Sequence, residues 1–126
     1  MTLRPIRMVF LVAAVMSSAH AQTGKDLLVI CTSKNPVEHM SCGLYISGFV
    51  NGLQAAEDLS GEICVPKSLT GTEALSIFTE TLSDMETAAA RGRGIGLEAS
   101  PVFTSPQSVA LAAVLGMKFP CPRKTK

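Results

Sequence analysis

Tryptophan is absent from this chain, tyrosine occurs once, and aromatic residues make up 5% of it. Basic residues never gather into a block, so neither a stacking platform nor a charged groove for nucleic acid is in view. The longest apolar run, Met8 to Met16, is less than half of the roughly 20 residues a membrane span needs. Histidine is nearly missing too: the chain has His20 and His39. No G-x-S-x-G occurs, so no Ser-His-Asp set can be assembled. No C-x-x-C knuckle is present, and with so few histidines a structural zinc site lacks ligands. Strand-period alternation, internal repeats and low-complexity blocks are all absent. What remains is a small helical chain with little chemistry of its own.

The N-terminus has the order of a signal peptide: Arg4 and Arg7, the apolar stretch from Met8, then Ser17 to Ala21 ending in an A-x-A pattern. Cleavage after Ala21 is expected, giving a leader over residues 1–21 and one mature domain over Gln22 to Lys126. Loss of Arg4 and Arg7 leaves nine basic side chains against ten acidic ones. A periplasmic destination follows, with no membrane anchor after cleavage. In such an oxidising compartment the four cysteines, Cys31, Cys42, Cys64 and Cys121, read as two disulfides. Three pairings are possible.

Four helices are expected. The first spans about Gly24 to Ser33 behind a Thr23 cap. The second opens at Asn35-Pro36-Val37-Glu38, a cap, a first-turn proline and a glutamate placed to close a capping-box-like pair. Val37, Met40, Leu44, Phe49, Val50 and Leu53 then recur at helical spacing as its core stripe. Gly48 and Gly52 stand four apart in it, each costing up to about 1 kcal/mol of helix propensity, and are read as sites of close helix packing. The third starts at the Thr70-Gly71-Thr72-Glu73 capping box, carries a stripe from Ala74 through Phe78 and Leu82 to Ala89, and stops at Arg91-Gly92. Gly92 to Thr104 reads as a long loop. The fourth begins at Ser105-Pro106, cap then proline, and ends at Pro120. The fold class is therefore all-α, a small bundle of about four helices stapled by two disulfides. An antiparallel hairpin of the first two helices favours Cys31 with Cys42, leaving Cys64 with Cys121.

Candidate chemistry is thin. His39 and Cys42 share a helical face, as a nucleophilic cysteine and its base would, but a disulfide at Cys42 removes the nucleophile. Gly92-Arg93-Gly94-Ile95-Gly96 follows a helix and lacks the spacing of a phosphate loop. It reads better as a protein contact, with Arg91 and Arg93 beside apolar Ile95 and Leu97 in a loop long enough to be functional. No catalytic residue, metal ligand or cofactor site is expected, and the chain reads as a binding protein rather than an enzyme.

Four segments in order carry a resemblance: Gly24-Lys25-Asp26-Leu27-Leu28-Val29-Ile30-Cys31, the run from Cys42-Gly43-Leu44-Tyr45-Ile46-Ser47-Gly48 to Gly52, Ile63-Cys64-Val65-Pro66, and Phe119-Pro120-Cys121. Together they resemble the Tai-type immunity proteins, which neutralise type VI secretion amidase effectors. The resemblance covers nearly all of the mature chain. It implies a periplasmic, all-helical, often dimeric protein that binds a peptidoglycan amidase toxin and blocks its cleft, without a cofactor, the glycine-bearing face of the second helix then supporting tight packing within a monomer or across a dimer. The stretch from Arg91 to Thr104 departs from the family pattern, being longer and richer in glycine, so family contact residues are not carried onto it. The alternative is a helper resembling the small acid-stress chaperones, although those are expected to carry a single bridge.

Overall fold

The computed structural model describes residues 22–56, 63–93, 96 and 99–122. The expected leader and its cleavage site lie outside them, as do Ile95 and Leu97. Five helices follow one another: α1 (Gly24–Cys31), α2 (Pro36–Ala55), α3 (Gly71–Ala90), the one-turn α4 (Pro101–Thr104) and α5 (Gln107–Lys118). Among the described residues there is no strand, only the isolated bridges Thr23 to Pro106 and Ile63 to Pro120. The architecture is all-α, with α1, α2, α3 and α5 packed around one core.

Two capping boxes start the helices that need them most. The Thr23 side chain accepts from the Asp26 amide while the Asp26 carboxylate accepts the Thr23 N–H at 2.9 Å, and Thr70 with Glu73 repeats the arrangement at 2.8 Å. Each box satisfies amides that a helix start leaves without partners. These bonds favour the ionised acids, so both carboxyls titrate below their ordinary range, held there mainly by the backbone N–H of Thr23 and of Thr70. The second helix differs. Asn35 caps it by accepting from the Val37 amide at 2.9 Å, but Glu38 takes its bond from the Ser33 hydroxyl instead of the Asn35 backbone. Ser33 sits in the tight α1–α2 turn, and the Asn35 amide donates to Ser33 Oγ at 3.1 Å.

The largest difference from expectation is the direction that the first half of α2 faces; in its second half Val50 is buried and Phe49 and Leu53 pack against the core, as expected. Val37, Met40 and Leu44 are 65%, 60% and 69% exposed, while Cys42, Ile46 and Val50 are buried. Both sets have helical spacing, and the disulfide decides between them. Cys31 and Cys42 are bonded, with Cα atoms 5.1 Å apart, so Cys42 must face α1. Ile46 and Val50, one and two turns on, then turn inward with it. The α3 stripe behaves as expected, with Ala74, Phe78 and Leu82 all fully buried.

Cys64 and Cys121 form the second bridge. Beside it the Cys64 amide donates to the Phe119 carbonyl at 3.0 Å, tying the extended Ile63–Pro66 piece to the end of α5. At the other end of the bundle Gly24 N donates to the Ser105 carbonyl at 3.0 Å and Gln107 N to the Gln22 carbonyl at 2.9 Å. Ser105 is therefore not the cap expected of it: Pro106 holds the N-cap position of α5, which has no side-chain cap bond.

The glycines that bring elements close are not those anticipated. A Cβ on Gly71 would run into Ser47, whose Cβ lies 2.7 Å from that point, and one on Gly24 would strike the Val102 carbonyl and the Ala110 methyl. These two let α3 approach α2, and α1 approach the α4–α5 corner. At Gly48 and Gly52 a Cβ would meet nothing within 4 Å, so neither packs against another element among the described residues.

Candidate functional site

Cys42 has no thiol to offer, being bonded to Cys31, and the His39 ring is engaged by the Cys31 carbonyl, 2.9 Å from Nδ1. Cys42 is thus part of a helix-hairpin staple, as the expected disulfide requires, and not a nucleophile. Among the described residues no group of three His, Cys, Asp or Glu side chains could hold a metal ion. Candidate function has to be sought on the surface.

The first candidate is the segment after α3. Arg91 is the C-cap, Gly92 adopts φ +66°, Gly92 N donates to the Ala89 carbonyl at 3.0 Å and Arg93 N to the Ala88 carbonyl at 2.9 Å. This is a Schellman ending, in which the left-handed residue strongly favours glycine. It fixes where the chain leaves the helix and places Arg91 and Arg93 in solvent. The expected long loop is shorter than its sequence suggests. Ser100 is buried, Pro101 starts α4, and Phe103 inserts into the core. The stretch from Gly92 to Ala99 is therefore held at both ends.

The second candidate is the outward face of α2, on which Gly48 and Gly52, expected at a close helix contact, lie exposed. Val37, Met40 and Leu44 line its first half, and Gly48, Asn51, Gly52 and Ala55, all exposed, line the second. From His39 to Ala56 the chain has no Asp, Glu, Lys or Arg. A surface helix ordinarily carries charge on its solvent side, so this absence was the available signal. Beside the first half lies a groove of about 290 Å³ between α2 and the start of α3, lined in part by Met40, Leu44, Gly71 and Leu75. A larger groove of about 410 Å³ lies between the Pro66–Leu69 turn, α3 and Phe119. Neither gathers reactive groups. Tyr45, half-buried at the edge of α2, titrates above its ordinary value because burial disfavours the phenolate.

No helix among the described residues is long and apolar enough to cross a membrane. Residues 23–121 match the family model of the Rap1a immunity proteins. No curated protein and no solved structure matches the chain.

Proposed function

The chain belongs to the Rap1a immunity protein family, and from that premise we propose that it is exported, dimeric and protective against one secreted effector, a peptidoglycan amidase of the Tai-targeted, type VI kind. The observation that carries the reading is the family match across 23–121, which takes in every described helix and both disulfides. The export step is supported by the two bridges, which suit an oxidising compartment, and by a matched region that starts after the leader-like residues 1–21. Inhibition works by occlusion: the chain supplies a rigid body and a surface, and the effector supplies the chemistry.

For the effector contact we propose the segment beginning at Arg91. Both arginines leave the backbone at a fixed point where α3 ends, and charges at the rim of an interface steer encounter with a partner of opposite sign.

The test is capture and inhibition. The oxidised protein is offered to candidate cell-wall amidase effectors at neutral pH. Stoichiometric binding to one of them with loss of peptidoglycan cleavage is the expected result. The double variant Arg91→Glu/Arg93→Glu should slow association and weaken its salt dependence. Failure to bind or protect against any amidase, with binding to an effector of another class, would overturn the amidase reading while leaving the family in place.

A further inference from the structure

The two disulfides sit in different surroundings. Cys31 and Cys42 lie in the core, whereas Cys64 is exposed and Cys121 half-buried. Besides the second bridge, the segments it joins are tied by the Cys64 amide on the Phe119 carbonyl and by the Ile63 to Pro120 contact. Ile63 also lies against Gly116, where a Cβ would stand 3.5 Å from Ile63 Cγ1. The same two segments wall the groove of about 410 Å³: Pro66, Ser68 and Leu69 come from one and Phe119 from the other, and α3 completes it. The charge around the two sulfurs differs as well. Lys118, Arg123 and Lys124 fall within three residues of Cys121 and no acid does, while the same span around Cys64 holds Glu62 and Lys67. Cations near a sulfur favour its thiolate, and in exchange the sulfur with the lower thiol pKa leaves faster. Access therefore marks Cys64 as the sulfur to be attacked, and charge marks Cys121 as the one to leave.

We propose that Cys64–Cys121 is a thiol–disulfide exchange site for a dithiol protein of the Cys-x-x-Cys class, entered at Cys64, and that it serves as a clasp on this groove. The incoming thiolate attacks the Cys64 sulfur. The bond between the two bridge sulfurs breaks, and its electron pair leaves on Cys121, which takes up a proton. The second thiolate of the reductant then attacks its own partner sulfur in the mixed disulfide, closing the reductant's disulfide and releasing Cys64, which is protonated in turn. Two electrons and two protons pass from the dithiol to the chain, and the reverse sequence closes the clasp. Opening is local. The Cys31–Cys42 bridge stays shut inside the core, and α3 keeps its capping box and its buried Ala74, Phe78 and Leu82. What loosens is the 63–69 segment and the end of α5, a sub-global opening of low cost. The groove walls then part while the bundle stands.

The inference depends neither on the identity of the effector nor on the oligomeric state. To test it, the oxidised full chain is incubated at neutral pH with a Cys-x-x-Cys protein whose second cysteine is replaced by serine, so that exchange stalls at the mixed disulfide. Free thiols are then alkylated and the adduct is mapped by mass spectrometry. The adduct is expected on Cys64, with Cys121 alkylated and Cys31–Cys42 still closed. In a second arm dithiothreitol opens the bridge. The helical circular dichroism should be kept, while hydrogen exchange rises at least about 10-fold at the Cys64 and Phe119 amides and stays unchanged at Phe78 and Leu82. An adduct on Cys121, or on Cys31 or Cys42, would overturn Cys64 as the point of entry. Exchange at Phe78 and Leu82 rising in step with that at Cys64 would overturn the local clasp. Opening by dithiothreitol with no trapped adduct would overturn the protein dithiol as its reagent.

Discussion

Replacing Cys64 and Cys121 together by alanine tests how much of this fold is held by covalent constraint. The bridge joins residues 57 apart in sequence. On the chain-entropy account, a loop of that length is worth about 4 kcal/mol through the unfolded state alone. Little else should be lost, because Cys64 is exposed and Cys121 only half-buried, and the Cys64 to Phe119 backbone bond needs no sulfur. With a urea slope of about 1.5 kcal/mol/M the midpoint should fall by roughly 2.5 M. The slope should rise as well, since the uncrosslinked chain unfolds further. Urea melts of the oxidised parent and the double variant, followed by far-UV circular dichroism, read both quantities. A loss below about 1 kcal/mol with an unchanged slope would refute the reasoning, because it would mean that the bridge barely restricts the unfolded ensemble. The other bridge makes the contrast. Cys31 and Cys42 are 11 apart, for which the same account gives about 3 kcal/mol, but their sulfurs sit in the core at 2% and 1% exposure. Alanines there leave a cavity as well, so the two double variants should fall close together for different reasons, and only the first should raise the slope strongly.

Mild reductant should open Cys64–Cys121 before Cys31–Cys42, because a thiolate reaches the exposed sulfur and not the buried pair; timed alkylation with mass spectrometry reads the order. Gly71→Ala should cost about 1–3 kcal/mol by forcing α3 off Ser47, whereas Gly43→Ala, where a Cβ meets nothing, should gain up to about 1 kcal/mol; thermal melts give both signs. Because Asp26 and Glu73 titrate below their ordinary range, their contribution is full above the unfolded carboxylate values and lost as pH falls through the lower folded ones. Stability should therefore decline through and below the ordinary carboxylate range, and Asp26→Asn/Glu73→Gln should flatten that part of the pH profile. Gln54 Nε2 donates to the carbonyls of Pro66 and Leu69 at 2.9 and 3.0 Å, so Gln54→Ala should cost about 1 kcal/mol and speed hydrogen exchange at the Leu69 amide.

Helix α3 is legible in the sequence because its signals agree: a capping box at Thr70, one apolar stripe, and an Arg-Gly ending that becomes a Schellman motif. In α2 the period is legible and the face is not. In its first half Val37, Met40 and Leu44 compete with Cys42 and Ile46 at the same repeat, and without charges from His39 to Ala56 nothing in the apolar pattern marks the wet side, while Phe49, Val50 and Leu53 of the expected stripe do face inward. The Cys31–Cys42 pairing that the helical hairpin favours settles the matter, because it turns Cys42, and with it Ile46 and Val50, inward. In α5, likewise uncharged before Lys118, Val109 is exposed and Ala110 and Leu111 are buried. Helix α4 reads as loop in the sequence because a single turn contains no period. Its anchors are the proline at its first position and Phe103 in the core. Gly24 and Gly71 read only as first-turn residues, since the groups they make room for, Val102 with Ala110 and Ser47, come from other helices.

The two candidate surfaces suit different kinds of contact. The α2 face is long, uncharged and apolar on a helix whose inner side is fixed by a disulfide and by Ile46 and Val50. Such a face gains from burial and little from long-range attraction, which fits a contact that persists once made. The Arg91–Arg93 corner is the reverse: charged, exposed, and set at a defined position by the Gly92 turn on one side and the buried Ser100 and Phe103 on the other. Fixed ends reduce the ordering cost that a loop of this length would otherwise carry into a complex, and positive charge at its start speeds encounter with an acidic partner. The two properties lie on separate elements. The sequence divides them in that way, with no charge from His39 to Ala56 and two arginines within the three residues after α3.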